Sequence, residues 1–306
     1  MRTISLLPAA TEIVGALGLM GDLAGVSHEC DFPDEANRRP RVTHCEIHNK
    51  GLPSDAIDRW VSDTLQTAAS LYTLDEDTIR GLRPELILTQ KLCDVCAPAY
   101  GSVQAFARTL PGPPRVLNLE PRCLADVFDN IRQVAEAMGH PGRAAQVVEG
   151  LRQRVRAVEE GAARAGRRPS VFLMEWADPP YCSGHWGPEL VETAGGRDVL
   201  GRKGADSVRV PWEAVVEADP EVLVLACCGH GVARTLQDVP LLERRPGWSS
   251  LRAVKGGRVH VADGSAYFSR PGPRVVDSLE ILAEIIHPEL FRGRFPDRGV
   301  VKVSRK

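Results

Sequence analysis

The sequence lacks the features that mark several large classes of protein. Across 306 residues, no uninterrupted apolar run approaches the roughly 18 residues that a membrane-spanning helix needs. The net charge is only −2, from 38 basic and 40 acidic residues, which excludes a strongly basic nucleic-acid binder and a polyacidic protein. Aromatic residues are also scarce, with five tryptophans, four tyrosines and seven phenylalanines. The positions of these few aromatics are therefore informative.

The N-terminal residues carry no recognisable export signal. The segment from Met1 to Pro8 has one basic residue, a very short apolar run and a proline, without the longer apolar core of a signal peptide. We therefore expect a cytoplasmic protein, with a periplasmic or surface-anchored location only if the sequence is a trimmed form. In the cytoplasm, the eight cysteines are expected to be free thiols or metal ligands.

Short β-rich segments alternate with helical patterns in both halves of the chain. This alternation predicts parallel sheets with helices on their faces. A capping box that starts at Thr73 predicts a helix through Leu82, and a closing helix is expected over Val275–Ile286. The predicted strands are 4–7, 23–27, 85–89, 115–119, 171–174, 222–226 and 259–262.

The middle of the chain has almost no strand signal. Apolar residues recur at helical spacing from Leu124 to Met138 and again from Val147 to Val158. The whole pattern predicts an α/β fold of two Rossmann-like lobes that face each other across a ligand cleft. The predicted parts are an N-terminal lobe at 1–122, a helical connector at 123–166, a C-terminal lobe at 167–290 and an extended tail at 291–306.

Ligands of parallel sheets bind at the carboxyl ends of the strands, so the loops that follow the strands are the first candidates for a site. Aromatic and polar side chains on these loops suit a large, partly apolar ligand. Each residue type also has a structural interpretation without a ligand. A tryptophan can pack in the core of its lobe, and a histidine can form a hydrogen bond with loop backbone. The arginine can brace its own loop. The candidates are His28, Phe32, Trp176, Tyr181, His185, Trp186, His230, Tyr267, Phe268 and Arg270.

Four cysteines on these loops suggest a shared metal site. Cys93 and Cys96 have the spacing of zinc or iron–sulfur ligands. Cys30 and Cys228 follow other strands and would complete a set of four. Cys227 is expected to point away from it, because neighbouring residues on an extended segment face opposite sides. The alternative is that each thiol is a small buried apolar group.

An ordered series of motifs resembles the class III, helical-backbone periplasmic binding proteins, which serve cobalamin, siderophores, haem and metals. The resemblance covers about residues 2–286 and is strongest to cobalamin-binding members and to cytosolic sequences labelled as cobalamin-binding. No single motif is specific to this family, but the complete series in this order is. The motifs are 4–12 with Gly18, Gly25–Ser27, Asp31–Pro33, Leu82–Ile87, Pro179–Tyr181, Ser183–Gly184, Gly195–Gly196, Val210–Trp212, Phe268–Arg270 and Pro273–Arg274.

The resemblance implies two lobes joined by one rigid helix near 143–166, with the ligand between them. It adds Gln90, Trp212 and Asp263 to the expected ligand contacts. The implied function is binding of cobalamin, another corrinoid or a similar metal complex, without catalysis, a nucleic-acid partner or a membrane span. One alternative is a metalloprotein or enzyme with a cysteine-ligated Zn²⁺ or Fe–S centre in the cleft.

A weaker alternative is a substrate-binding protein of an ABC importer. Exported relatives dock on the transporter through one exposed glutamate in each lobe. The helix after Cys96 has no such residue at 100–104, whereas Glu213 and Glu217 are available in the second lobe. The missing glutamate argues against docking on an importer.

Overall fold

The computed structural model describes residues 1–45, 51–67, 70–92 and 97–303, and it has the α/β fold that the sequence predicts. The chain divides into two compact units. Unit 1 comprises Met1–Leu52, Ala56–Pro121 and Ala125–Gly150, and unit 2 comprises Pro53–Asp55, Arg122–Leu124 and Leu151–Lys306. In the part of the chain that is described, no helix combines the length and the apolar character needed to cross a membrane.

Unit 1 is built on a four-stranded parallel sheet. Its elements, some of which extend into segments of unit 2, are β1 (Thr3–Ser5), α1 (Pro8–Ala16), β2 (Leu23–Val26), β3 (Thr43–Cys45), α2 (Ser54–Thr67), β4 (Tyr72–Leu74), α3 (Glu76–Leu82), β5 (Leu86–Thr89), α4 (Tyr100–Thr109), β6 (Arg115–Asn118), α5 (Leu124–Ala137) and α6 (Pro141–Ala162). The strand order is β2-β1-β5-β6, and β3 and β4 form a separate antiparallel pair. Strands β1 and β5 are buried along their whole length, as expected where helices cover both faces of a parallel sheet.

The start of helix α3 differs from the prediction. Its N-cap is Asp75, whose carboxylate accepts a hydrogen bond from the backbone N–H of Thr78 at 3.0 Å. The capping box predicted from Thr73 is therefore wrong. Thr73 lies inside β4, opposite His44, so its backbone is already committed to strand pairing.

Unit 2 carries a six-stranded sheet. Its remaining elements are β7 (Ser170–Ala177), β8 (Pro180–Cys182), α7 (Gly187–Thr193), β9 (Arg197–Asp198), α8 (Trp212–Ala218), β10 (Val222–Leu225), α9 (Val232–Thr235), α10 (Val239–Glu243), α11 (Arg252–Lys255), β11 (Val259–Val261), α12 (Val275–Ile286), α13 (Pro288–Phe291) and β12 (Val301–Lys302). The order is β12-β11-β10-β7-β8, and β9 also pairs with β7. Strands β7, β10 and β11 are parallel neighbours, so their carboxyl ends lie at one edge of the sheet.

An ion-pair network ties the C-terminal tail to the helices of unit 2. Arg154 on α6 donates from Nε to Glu280 on α12 at 2.8 Å, and it also pairs with Asp277. Arg298 in the tail donates to Asp277 at 2.8 Å and to Glu280 at 2.6 Å. Two guanidinium groups thus neutralise two carboxylates that are largely shielded from water, which is the condition under which buried charge is tolerated.

We expect Arg298→Gln to lower the free energy of unfolding by about 1–3 kcal/mol, because it leaves two shielded carboxylates with a single cation. Urea unfolding of the whole chain measures the change. The control is Arg292→Gln, which removes an exposed charge from the start of the same tail. Equal stability of the two variants would show that the network contributes nothing measurable.

Candidate functional site

Three loops converge at the carboxyl edge of the unit 2 sheet. We call them the strand-end loops and define them as 175–178, which are the last three residues of β7 and the first residue of its turn, together with 226–231 and 262–270. Backbone pairing continues past the ends of β10 and β11: Cys228 N–H donates to the Glu175 carbonyl at 2.9 Å, and Ser265 N–H donates to the His230 carbonyl at 3.1 Å. These bonds fix the three loops against one another, so side chains distant in sequence share one surface.

Two glycines allow this close approach. A Cβ atom on Gly264 would lie 2.1 Å from the carbonyl oxygen of Cys227, so no side chain is possible there. Gly229 has φ +70° within a tight turn that runs from Cys227 to His230, closed by His230 N–H donating to the Cys227 carbonyl at 3.0 Å. The turn places the side chains of Cys227 and His230 at its two ends.

An indole and an imidazole meet on these loops. The rings of Trp176 and His230 are 4.8 Å apart between centroids and inclined by 40°. Burial, together with the nearby Arg234 guanidinium, lowers the pKa of His230 to about 4. The ring is therefore neutral near pH 7, and its buried Nδ1 has no hydrogen-bond partner among the described residues. A neutral imidazole with an unshared lone pair is a good metal ligand.

Tyrosine–arginine pairs flank this part of unit 2. The Arg274 guanidinium lies 5.5 Å from the Tyr267 ring centroid, and burial raises the pKa of the Tyr267 hydroxyl. The Arg209 guanidinium lies 5.7 Å from the Tyr181 ring and donates from Nε to its hydroxyl at 2.7 Å. Asp263 caps the π-helical turn 264–268 by accepting from a backbone N–H. Aromatic faces next to cations suit ligands with anionic substituents.

Core packing is the better interpretation of two predicted ligand residues. Trp186 is 8% exposed and donates from its indole nitrogen to the carbonyl of Phe268, which is itself buried. Trp212 stacks on Trp248 with ring centroids 6.2 Å apart and donates to a backbone carbonyl. Arg270 is 6% exposed and contacts the Ser265 hydroxyl at 3.4 Å, which fits the bracing role.

His185 lies apart from the Trp176–His230 contact. Its backbone has a left-handed φ of +47°, and its Nε2 lies 3.2 Å from an Asp206 carboxylate oxygen. Burial lowers its pKa, opposed by the charge of that aspartate. These contacts indicate that His185 holds the loop around residue 205 in place. Its backbone N–H also donates to the Ala205 carbonyl.

Unit 1 has its own cluster after strand β2. His28 Nδ1 lies 2.7 Å from the Thr43 hydroxyl, and its ring lies 5.4 Å from that of Tyr72. Phe32, further along this loop, is 44% exposed, whereas Gln90 after β5 is buried. Contact between these residues and a ligand therefore remains a prediction.

The four-cysteine site also stays a prediction. Cys93 and Cys96 lie outside the described residues. Cys30 is fully buried in unit 1, with its sulfur 3.1 Å from the Thr11 hydroxyl, and Cys228 is half-buried in unit 2. The structure instead groups Cys227, the cysteine that the sequence set aside, with His230. The strand alternation used to set Cys227 aside does not apply to either cysteine, because β10 ends at Leu225.

Two half-buried carboxylates of unit 2 lie on neighbouring strands, Glu175 near the end of β7 and Asp198 on β9. The carboxylate of Glu175 accepts hydrogen bonds from the Ser207 hydroxyl and the Gly184 N–H, and that of Asp198 accepts from the Ser183 hydroxyl at 2.9 Å. Burial raises the pKa of Glu175 to about 7, and the negative charge of Asp198 adds to the effect. Burial likewise raises the pKa of Asp198. Two acids that disfavour ionisation make this part of unit 2 sensitive to pH.

Glu175→Gln is therefore expected to stabilise the protein at high pH. The pKa of Glu175 rises from 4.5 to about 7 on folding. The folded state thus loses stability as the pH rises through this window, by up to about 3 kcal/mol. The variant's gain over the parent should be small at pH 5 and largest at pH 8, as measured by chemical unfolding at each pH. Glu213→Gln, at an exposed carboxylate of α8, is the control for loss of a charge. A gain that does not grow with pH would contradict this account.

Comparison with known proteins gives the family context. A sequence model described as periplasmic binding protein matches residues 4–266. The uncharacterized ABC transporter substrate-binding lipoprotein YvrC of Bacillus subtilis (strain 168) is 24% identical over 299 residues, which is 95% of this chain and 81% of that protein. A vitamin B12-binding protein of Vibrio cholerae is 23% identical over 282 residues, which is 91% of this chain and 86% of that protein.

Solved structures agree with the fold. The periplasmic vitamin B12 binding protein BtuF of Vibrio cholerae superposes with a TM-score of 0.67 at 21% identity, covering 94% of this chain and 96% of that one. A periplasmic heme binding protein from Pseudomonas aeruginosa gives a TM-score of 0.70 at 22% identity, covering 94% and 93%. At these identities the similarity establishes the fold alone.

Proposed function

The chain belongs to the periplasmic binding protein family, and from this premise we propose that it is the substrate-binding component of an ABC importer. Relatives named as ABC transporter substrate-binding and vitamin B12-binding proteins support this role. It is the weaker alternative drawn from the sequence, and these relatives support it better than a cytoplasmic binding protein without a transporter. We propose a flat metal complex as cargo, with cobalamin or another corrinoid first and haem second.

The contact between Trp176 and His230 carries the proposal for the cargo. An indole face offers apolar area to a flat macrocycle, and a neutral imidazole is a ligand for cobalt or iron. Arg274, beside Tyr267, is suited to pair with the acidic or phosphate groups that such complexes carry at their edges. These groups lie on or next to the loops at the carboxyl edge of one sheet, where ligands of parallel sheets bind.

Docking on a transporter is proposed through unit 2. Glu213 and Glu217 are exposed and four residues apart on α8, so both carboxylates lie on one face of the helix. The absence of a glutamate from α4 is a departure from the pattern of exported relatives and restricts the proposal to this unit. The binding component of an importer acts outside the membrane, so this role and the cytoplasmic location expected from the sequence exclude each other. Fractionation of the source cells tests which of the two holds, and a cytoplasmic protein would contradict the importer role.

Titration of the purified protein with cobalamins and with haem is the direct test. Visible absorption and calorimetry should reveal binding of at least one of them at ~100 μM, a threshold of about −5.5 kcal/mol. Trp176→Phe should weaken binding about threefold to tenfold, because the smaller ring offers less area for stacking. Trp248→Phe is the matched control, since that indole packs in the core of the same unit.

Three outcomes separate the hypotheses. Binding of a cobalamin that Trp176→Phe weakens and Trp248→Phe leaves unchanged supports the proposal. Binding of haem but of no cobalamin would make haem, and not a corrinoid, the proposed cargo. No binding of either, together with tightly bound metal in anaerobically purified protein, would favour the cysteine-ligated metalloprotein over a binding protein.

A further inference from the structure

A thiol, an imidazole and a carboxylate converge beside the strand-end loops. The potential ligand atoms of Cys227, His230 and Asp238 all lie within 4.8 Å of one another. Cys227 is fully buried and Asp238 is 2% exposed, so neither side chain serves as a solvated surface group. This is the one such group of three among the described residues.

Local structure brings the three side chains together. Cys227 and His230 occupy the two ends of the turn at Gly229, which makes a Cys-x-x-His sequence into adjacent ligands. The short helix α9 then returns the chain, and Asp238 precedes α10 with its N–H donating to the carbonyl of Thr235 at 3.0 Å. Two turns and one short helix thus preorganise the set without a metal.

We propose that Cys227, His230 and Asp238 form a binding site for a single divalent transition-metal ion of the Zn²⁺ or Co²⁺ type. Sulfur, nitrogen and carboxylate donors suit these ions and not Ca²⁺ or Mg²⁺, which prefer oxygen ligands. Tetrahedral bonds of about 2.0–2.3 Å hold ligand atoms roughly 3.3–3.8 Å apart. The ligand atoms here lie within 4.8 Å of one another, so metal binding needs a contraction of at most about 1.5 Å. Three protein ligands leave the fourth position open.

Neighbouring side chains hold the Asp238 carboxylate in a fixed orientation, as is usual for a metal-binding carboxylate. One carboxylate oxygen pairs with Arg234 at 3.0 Å, and the other accepts from the Ser54 hydroxyl at 2.6 Å. Each carboxylate oxygen has a second lone pair, so these bonds orient the group without exhausting it. The thiolate and the carboxylate offset the charge of a divalent ion, while the Arg234 guanidinium adds one positive charge beside the site.

The thiol gives the site a distinctive dependence on pH. Cys227 is fully buried, and a thiol is protonated near pH 7, so a metal that binds its sulfur must displace a proton. Metal affinity should therefore rise about tenfold per pH unit between pH 6 and 8, the slope for one released proton.

Cobalt binding to the full chain tests the site. Cys93 and Cys96 are first replaced by serine, so that their spacing cannot supply a competing pair of thiolates. In this background, Co²⁺ should bind one per chain, with a sulfur-to-cobalt charge-transfer band, and Zn²⁺ should displace it. Cys227→Ser should abolish that band, and Asp238→Asn should weaken binding roughly 100-fold.

Two matched variants show that the effect is local. Cys182→Ser removes another buried thiol of the same sheet, and His260→Gln removes a half-buried histidine of β11, whose pKa burial also lowers to about 4. Both should keep the parent's affinity and spectrum. Circular dichroism and melting curves identify any variant that fails to fold. The pH dependence of metal affinity is measured with all three ligands intact, so it tests the site even if a ligand variant does not fold.

Several results would overturn the proposal. These are a charge-transfer band that survives Cys227→Ser, an affinity for Co²⁺ that does not change with pH, or no binding at all. Because the probe is a bare metal ion, the result is independent of whether the protein binds cobalamin or haem. A chain that binds Co²⁺ at this site and no macrocycle would keep this inference and refute the proposed cargo.

Discussion

Continued backbone pairing beyond the strands is the constraint on which the site in unit 2 depends. A parallel sheet ends with its carboxyl-terminal groups side by side, and here the pairing continues through Cys228 N–H to the Glu175 carbonyl. The contact of Gly264 with the Cys227 carbonyl then allows the third loop to close against the second. Because three strands from distant parts of the sequence stop at one edge, an indole, an imidazole and a thiol reach the same small region.

Desolvation determines the chemistry of this edge. The same burial that stabilises the sheet leaves His230 neutral, keeps the Cys227 thiol protonated and raises the pKa of Glu175 to about 7. A neutral imidazole keeps its lone pair, whereas a protonated thiol must first lose a proton. Ligand binding and stability near this edge are therefore both linked to proton binding. The shifts in these three pKa values do not follow from residue identity alone, since each depends on how much water reaches the group.

The sequence predicts the regular structure well and the site only in part. The strand at 222–226 and the helix at Val275–Ile286 are marked by continuous or periodic apolar residues, and both are present within one residue of the expected bounds. The indoles of Trp186 and Trp212 are harder to assign, because an aromatic residue near a strand end has the same signature whether it packs inward or meets a ligand. The sequence argument about Cys227 has a different weakness: it applies strand alternation beyond Leu225, the last residue of β10. The Cys-x-x-His spacing around Gly229 is the signal that identifies the turn.

His230 belongs to both proposals, and this has a thermodynamic consequence. Its ring meets Trp176 on one side, and one of its nitrogens lies within reach of Cys227 and Asp238. An ion held by that nitrogen would fix the orientation of the ring against the indole and would increase the acidity of the other ring nitrogen. The free energy of binding a macrocycle at Trp176 would then depend on whether the ion is present, and by linkage the affinity for the ion would change by the same factor when the macrocycle binds. One short turn of the chain would thus couple a metal ion to a cargo that itself carries a metal.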